Sequence, residues 1–543
     1  MLSHVKGIDQ PPLIEHTIGQ ALRRAAQEWP EREALISIHQ DVRLTYTELL
    51  TQAETFAAGL LALGLVPGDR VGIWAGNCAE WTITQFATAL AGMILVNVNP
   101  DYRPRELDYA LNKVECKALV MAEKSKHADY VSMVDELMSS QRLPYLKYRI
   151  LISRKSEKGY SRFTDVQDAG RQSGIANLKD TERGLSSHDA INIQFTSGTT
   201  GAPKGATLSH RNILNNGFLT GISQNFTPDD KLCIPVPLYH CFGMVMGTLA
   251  CCVHGATAIY ASEKFDPQAI LRAIQAEHVT ALYGVPTMFI ALLEQDNFKE
   301  FNLSSLRTGT LAGSPCPIEV MKKVIGDMNM SEVTIGYGMT ETSPISFQTE
   351  KDDPLEKRVS TVGRVHPHVE VKIIDKGGAT TRRGIKGELC TRGYSVMRGY
   401  WNDEEKTNEA IDNDGWMHTG DLATIDQEGY CDIVGRVKDM LIRGGENIFP
   451  REIEDYLFTH PDIIEAQVFG VSDSKYGEVV CVWIRLAPQK SMTSDDLQAF
   501  CKDQIAHYKI PTHVRFVKEY PMTVTGKVKK NIMRETMSKE LGV

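Results

Sequence analysis

The sequence predicts an α/β protein: a large N-terminal domain of layered α/β sheets with a β-rich subdomain, followed by a small mobile α+β C-terminal domain. Three observations lead there. At 543 residues the chain is too long for one hydrophobic core. From about residue 34, short β-branched runs alternate with longer stretches of helical period, as when helices cover both faces of a sheet. Near residue 366 this gives way to strands with short turns, and after residue 435 a compact segment of about a hundred residues begins, an ordinary domain size. The expected division is 1–435 for the large domain, with about 366–435 as its β-rich part, a hinge at 436–438, and 439–543 for the small domain.

The elements follow in order. Ala34 to Ile38 and Arg43 to Thr45 predict a hairpin, and Thr45-Tyr-Thr-Glu48 has capping-box spacing that opens a helix through Leu63, stopped by Gly64 and Pro67-Gly68. Arg70–Trp74, Ile94–Val98, Lys117–Met121, Ile191–Phe195, Ala281–Tyr283 and Val333–Ile335 predict strands. Phe242 to Ala261 is apolar, but Gly247, His254 and Gly255 interrupt it, so a buried helix running into a strand at 254–260 is expected instead of a membrane span. Strands are expected at Val369–Ile374, Gly387–Cys390 and Tyr430–Val434. The last segment predicts a helix from Pro450, strands near 464–469 and 479–486, and a helix from Ser494.

Composition narrows the function. A net charge of −9 gives no cationic excess for nucleic-acid phosphates, so a small ligand is expected. Eleven cysteines at irregular spacing, two of them adjacent at Cys251-Cys252, predict buried thiols in a reducing compartment and imply no structural zinc. The first twelve residues lack an apolar core and an Arg-rich amphipathic pattern, so neither a secretory signal nor a transit peptide is expected, and the location expected is cytoplasmic. No transmembrane segment is expected, though a lipid-like substrate would leave room for peripheral membrane contact. The oligomeric state is not legible.

Phe195-Thr-Ser-Gly-Thr-Thr-Gly-Ala-Pro-Lys-Gly205 is suited to holding phosphates. Its three glycines let backbone N–H groups approach an anion, Thr196, Ser197, Thr199 and Thr200 add hydroxyls, and Lys204 adds charge. A plain polar linker would not follow a predicted strand so closely. Nor is this the commonest phosphate-binding loop, which needs Gly before Lys and Ser or Thr after it; here Pro203 precedes Lys204 and Gly205 follows.

Further segments extend the pattern: Ala312-Gly-Ser-Pro315, Gly336-Tyr-Gly-Met-Thr-Glu-Thr342, Trp416-Met-His-Thr-Gly-Asp-Leu422, Gly435-Arg-Val-Lys-Asp439, Arg443-Gly-Gly-Glu-Asn-Ile-Phe-Pro450 and Pro521-Met-Thr-Val-Thr-Gly-Lys-Val-Lys529. Together and in this order they resemble the adenylate-forming superfamily of acyl-CoA synthetases, aryl-CoA ligases, peptide-synthetase adenylation domains and beetle luciferase. The resemblance runs from about Thr45 to Lys530. It implies ATP, Mg2+ and coenzyme A: a carboxylate attacks the α-phosphate of ATP to give acyl-adenylate and pyrophosphate, then a thiol displaces AMP.

The resemblance also implies residue roles. Thr196, Ser197, Gly198, Thr199, Thr200, Gly201, Ala202, Pro203 and Lys204 would hold phosphates, and Gly313, Ser314 and Pro315 would line adenine. Tyr337 would stack on the base, Thr340 would contact the α-phosphate, and Glu341 would help hold Mg2+. Asp421 would take both ribose hydroxyls and Arg436 the ribose or phosphate region. Lys438 would be the hinge, and Gly444, Gly445 and Glu446 would line the pantetheine tunnel. Lys527 would offset charge building between carboxylate and α-phosphate.

For the acid, the resemblance puts His240 of Pro237-Leu-Tyr-His-Cys-Phe-Gly243 where acyl pocket and thiol tunnel meet, with Met244, Val245 and Met246 as an adaptable apolar wall. Acetate-activating relatives carry Trp at the position of Gly338, so glycine there implies room for a longer tail. The run Val96 to Lys117, with Tyr102, Glu106, Leu107, Tyr109 and Asn112, looks most like medium-chain fatty acyl-CoA ligases. The expected activity is therefore fatty acid:CoA ligation on medium or longer chains. An aryl-CoA ligase of the coumarate or benzoate type shares the nucleotide motifs and is the alternative. A non-catalytic module that binds AMP or acyl-adenylate is disfavoured by the presence of Glu341 and Lys527, and a peptide-synthetase domain by the lack of a carrier domain after Lys527.

Overall fold

The computed structural model describes residues 1–543 apart from 126–127, 197–202, 315, 437–438, 444–445 and 524–525. Two large sheets organise the first four hundred residues. One has eight strands, ordered Ser161–Arg162, Tyr148–Ile152, Ala118–Ala122, Arg70–Trp74, Ile94–Asn97, Ala190–Thr196, Lys204–Ser209 and Gly399–Tyr400. The other has nine, running from Arg364–Val365 through Ile345–Gln348, Glu332–Gly338, Thr308–Ala312, Ala281–Gly284, Lys231–Cys233, Thr257–Tyr260 and Glu33–Ser37 to Val42–Thr45.

Helices between the sheets fuse them into one core. Leu22, Phe56, Trp81, Phe86, Leu214 and Leu249 on the intervening helices pack with Val71, Ile73 and Leu95 of the first sheet and with Leu35, Leu232 and Tyr283 of the second. Further helices cover the outer faces, with Leu107, Tyr130 and Val134 on one and Ile270, Phe289 and Met321 on the other. Central strands covered on both faces explain the continuous apolar runs in the sequence. The helix Tyr46–Ala62 opens with the expected capping box, Thr45 and Glu48 each receiving the other's backbone N–H. The apolar stretch after residue 241 is a buried π-helix, Phe242–Leu249, continuing as Ala250–His254 into the strand Thr257–Tyr260. Among the described residues no helix is long and apolar enough to cross a membrane.

The β-rich part is a five-stranded antiparallel sheet ordered His4–Lys6, Val369–Ile374, Gly387–Gly393, Met417–Ile425 and Cys431–Arg436. Its first strand comes from the N-terminus, with Val5 opposite Val371, a pairing with no local signal. The smaller C-terminal domain has its own core of Leu441, Ile453, Leu457, Val468, Val482 and Leu497. It meets the large domain through ion pairs of Arg485 with Glu294 at 3.2 Å and Arg451 with Asp432 at 3.1 Å.

Candidate active site

Open α/β sheets bind ligands beyond the carboxyl ends of their parallel strands. Thr308–Ala312 and Glu332–Gly338 are parallel neighbours with Ala312 opposite Gly336, so their shared register carries Gly313-Ser314 and Tyr337–Thr342 to one sheet edge. Gly313, at φ +89°, and Ser314 are exposed there. The Tyr337 hydroxyl donates to Asp421 Oδ2 at 2.6 Å. Burial and then the Asp421 charge push the phenol well above its usual range, so it stays a neutral donor. Asp421 and Arg436 are cross-strand partners in the β-rich sheet, and Arg436 Nε lies 3.2 Å from Asp421 Oδ1.

A second chain of contacts starts at Glu341, in the 3₁₀ turn Thr340–Thr342. Its buried carboxylate accepts the Tyr400 hydroxyl at 2.9 Å, and Lys204 Nζ stands 4.3 Å from the centre of the Tyr400 ring. Lys204 opens a strand, and Thr196 Oγ1 donates across to its carbonyl at 3.4 Å, while the Pro203 carbonyl accepts Tyr109 at 3.0 Å. The two ends of the glycine-rich segment are thus tied to each other, and its lysine end stands over Tyr400. Thr340 Oγ1 lies 3.9 Å from Cys241 Sγ.

The third group is His240. Its Nδ1 accepts the Phe242 N–H at 3.2 Å, which leaves the proton of the neutral ring on Nε2. Burial, and next the Lys527 charge, lower its pKa to about 3. Just beyond, Met244 Sδ receives Asn97 Nδ2 at 3.1 Å and Gln194 Nε2 at 3.4 Å. Val245 and Met246 are buried in the same π-helix, a departure from α-geometry frequent at functional sites.

Lys527 links the three groups. It sits at a turn of the C-terminal domain in which Thr523 N–H donates to the Lys527 carbonyl at 2.7 Å and Lys527 N–H to Thr523 Oγ1 at 2.9 Å. Gly526, at φ +77°, approaches so closely that a Cβ there would lie 2.7 Å from Val285 Cγ2, and its carbonyl accepts Thr287 Oγ1 at 3.3 Å. A Cβ on Gly313 would lie 3.4 Å from Lys527 Cε. Burial, then Arg436, lower the lysine pKa, while Cys241, Asp421 and Glu341 oppose the shift. The charges of Arg436, Asp421 and Glu341 thus all act on the ammonium, and its own charge acts on His240.

Not every expected residue belongs to this cluster. Glu446 is exposed on the strand Glu446–Ile448, paired with Leu441–Arg443 of the small domain. Ser197, Gly198, Thr199, Thr200, Gly201, Ala202, Pro315, Lys438, Gly444 and Gly445 lie outside the described residues. At Gly338 a Cβ would come within 1.7 Å of the Pro344 carbonyl oxygen. The backbone approaches closely across a bulge between antiparallel strands here, a setting that favours glycine alongside any role in the acyl pocket. Tyr400 was missed because it lies in no chemically distinctive stretch, and Cys241 was passed over beside His240; pairing with Ala206 helps bring Tyr400 to Glu341.

Fold and family together define an adenylate-forming enzyme. The chain belongs to the AMP-binding enzyme family, whose profile matches residues 22–401, with the AMP-binding enzyme C-terminal domain matching 452–527. It is 46% identical over 555 residues to the zebrafish (Danio rerio) medium-chain acyl-CoA ligase ACSF2, mitochondrial, covering 100% of this chain and 91% of that one. The anthranilate CoA ligase AuaEII, solved with anthranoyl-AMP, superposes with TM-score 0.88 at 25% identity, over 98% of this chain and 99% of the other. ATP-bound MatB from Rhodopseudomonas palustris gives 0.80 at 29%, over 95% and 98%.

Proposed function

We infer that this protein ligates medium-chain or longer fatty acids to coenzyme A, with ATP cleaved to AMP and pyrophosphate. It is an AMP-forming acid–thiol ligase. The observation that supports the mechanism is the placement of Lys527 against the large domain: Gly526 packs on Val285, and Lys527 Cε lies 3.4 Å from where a Cβ on Gly313 would stand. In the first step a carboxylate oxygen attacks the α-phosphorus and the bond to the pyrophosphate oxygen breaks. Lys527 offsets negative charge as the two anions meet, and a preorganised charge in a dry site is most effective there. Asp421, oriented by Tyr337, accepts from the ribose, with Arg436 beside it. In the second step the thiol attacks the acyl carbon, AMP departs and the thiol proton is lost. Neutral His240 lines the junction of the acyl and thiol sites.

The oxygen donors of Glu341 and Thr340 suit Mg2+, which would be held by Glu341 and would neutralise phosphate charge when bound. For the thiol step we keep Lys438 as pivot, 436–438 as hinge between 1–435 and 439–543, and Gly444, Gly445 and Glu446 as tunnel lining. The alkyl assignment rests on the 46%-identical relative, whose name specifies medium-chain acids. An aryl acid is the second reading, because the anthranilate ligase shares the fold. The eleven cysteines are free, in keeping with a reducing compartment such as the cytoplasm.

The test is pyrophosphate release from MgATP across linear short- to long-chain acids, benzoate and coumarate, with and without CoA. Release peaking on alkyl acids, with acyl-CoA and AMP formed, supports the assignment. A peak on aromatic acids moves it to the aryl branch, and no release with any acid removes it.

A further inference from the structure

Outside the active site, the β-rich sheet gathers three metal-ligating side chains that sequence spacing did not connect. Glu388 and Cys390 are two residues apart on the strand Gly387–Gly393 and so share a face, and Cys390 pairs with His418 on the neighbouring strand. Cys390 Sγ lies 3.7 Å and Glu388 Oε2 3.4 Å from His418 Nδ1, and the three ligand atoms fall within 4.8 Å of one another. Around a tetrahedral zinc ion, with bonds of about 2.3 Å to sulfur and about 2.0 Å to nitrogen and oxygen, these two separations are about 3.6 and about 3.3 Å. Both side chains thus already stand from His418 at the spacing one ion would impose.

We propose that Glu388, Cys390 and His418 form a site for a soft divalent cation of the zinc class. The surroundings complete it. Asp412 Oδ2 lies 3.6 Å from His418 Nε2, the place of a carboxylate that orients a metal-bound imidazole and keeps the proton on the far nitrogen. Lys372, opposite Cys390 on the third strand, has its ammonium 4.4 Å from the Trp416 ring centre. With Lys372, the cation balances Glu388, Asp412 and a Cys390 thiolate. Glu388 Oε1 accepts the Gly420 N–H at 3.2 Å, which leaves Oε2 for the ion and puts the site next to Asp421 on the strand Met417–Ile425.

Thiolate and imidazole ligands select against Mg2+, which prefers oxygen. Binding replaces the S–H bond by a metal–sulfur bond and releases the proton to water, with no change of oxidation state.

The test is a titration of chelator-treated full-length protein with Co2+, in the presence of Mg2+, read by the charge-transfer absorption of a cobalt–thiolate bond. One equivalent should bind with that absorption and be displaced by Zn2+. Cys390→Ser should abolish the band while the metal-free protein keeps its melting temperature, and Glu388→Gln should weaken binding about tenfold or more. Should Cys390→Ser melt early, His418→Gln read by the same band decides. No thiolate band in the unaltered protein, or a band that survives these substitutions, overturns the proposal.

Discussion

The Tyr337 hydroxyl donates to Asp421 Oδ2 at 2.6 Å, tying the end of a large-domain strand to the β-rich sheet. The two residues are far apart in sequence, yet one hydrogen bond fixes the carboxylate proposed to hold ribose against the ring proposed to lie on adenine. Hydrogen bonds to charged groups contribute about 1.5–3 kcal/mol. Tyr337→Phe keeps the ring and loses that bond, so the KM for ATP should rise about tenfold with less effect on the KM for the acid. Steady-state pyrophosphate release separates the two, and an unchanged KM for ATP would show that the hydroxyl does not orient Asp421.

Lys527→Ala should impair acyl-adenylate formation far more than thioester formation from supplied acyl-adenylate, because only the first step brings two anions together. Single-turnover assays of each half-reaction measure this. Equal losses would refute the assigned role.

Gly526 holds the lysine turn against Val285 at a positive φ, where a side chain is both strained and crowded. Gly526→Val should therefore depress adenylation while leaving the melting temperature of the large domain in place. Normal adenylation would mean that this contact does not deliver Lys527.

Tyr400 joins the Glu341 carboxylate to the Lys204 ammonium through its hydroxyl and its ring face. Tyr400→Phe retains the cation–ring contact and frees the carboxylate. The Mg2+ concentration for half-maximal adenylation should rise, with kcat/KM for MgATP falling about tenfold, the loss expected for a hydrogen bond to a charged group. A titration of rate against Mg2+ reads both.

His210 and His366 are buried, and burial lowers their pKa values to about 4 and about 3. Unfolded histidine titrates near 6.5, so from about pH 6.5 down to about 4 the unfolded chain binds protons that the folded one refuses. Stability should accordingly fall as pH falls through this window, by up to about 2.7 kcal/mol per pH unit from this pair. Urea midpoints at pH 7 and pH 5 measure the fall, and His366→Gln should flatten it. A midpoint that does not move over this range would contradict the assignment.

Much of the fold was legible because it rests on local patterns. The strand Arg70–Trp74 and the helix Tyr46–Ala62 emerged as the apolar runs and the capping box predict, since hydrophobic period and capping chemistry act over a few residues. The strand His4–Lys6 was invisible, because its partner lies more than three hundred residues away and short strands are specified by what they pair with.

The site divides the same way. The glycine-rich segment has a composition with no packing explanation, whereas Lys527, Asp421 and Glu341 were nominated by the resemblance of their motifs, in order, to a known superfamily. Their convergence was not legible: it depends on the register of Ala312 with Gly336 and of Asp421 with Arg436, and on the docking of Gly526 against Val285. Tyr400 acquires its place through pairing with Ala206, the approach of Pro344 to Gly338 arises from strand pairing, and Glu388, Cys390 and His418 become neighbours only once two strands align. Residue chemistry is carried by the chain in order, whereas distance and charge environment arise from long-range pairing that no local stretch of sequence encodes.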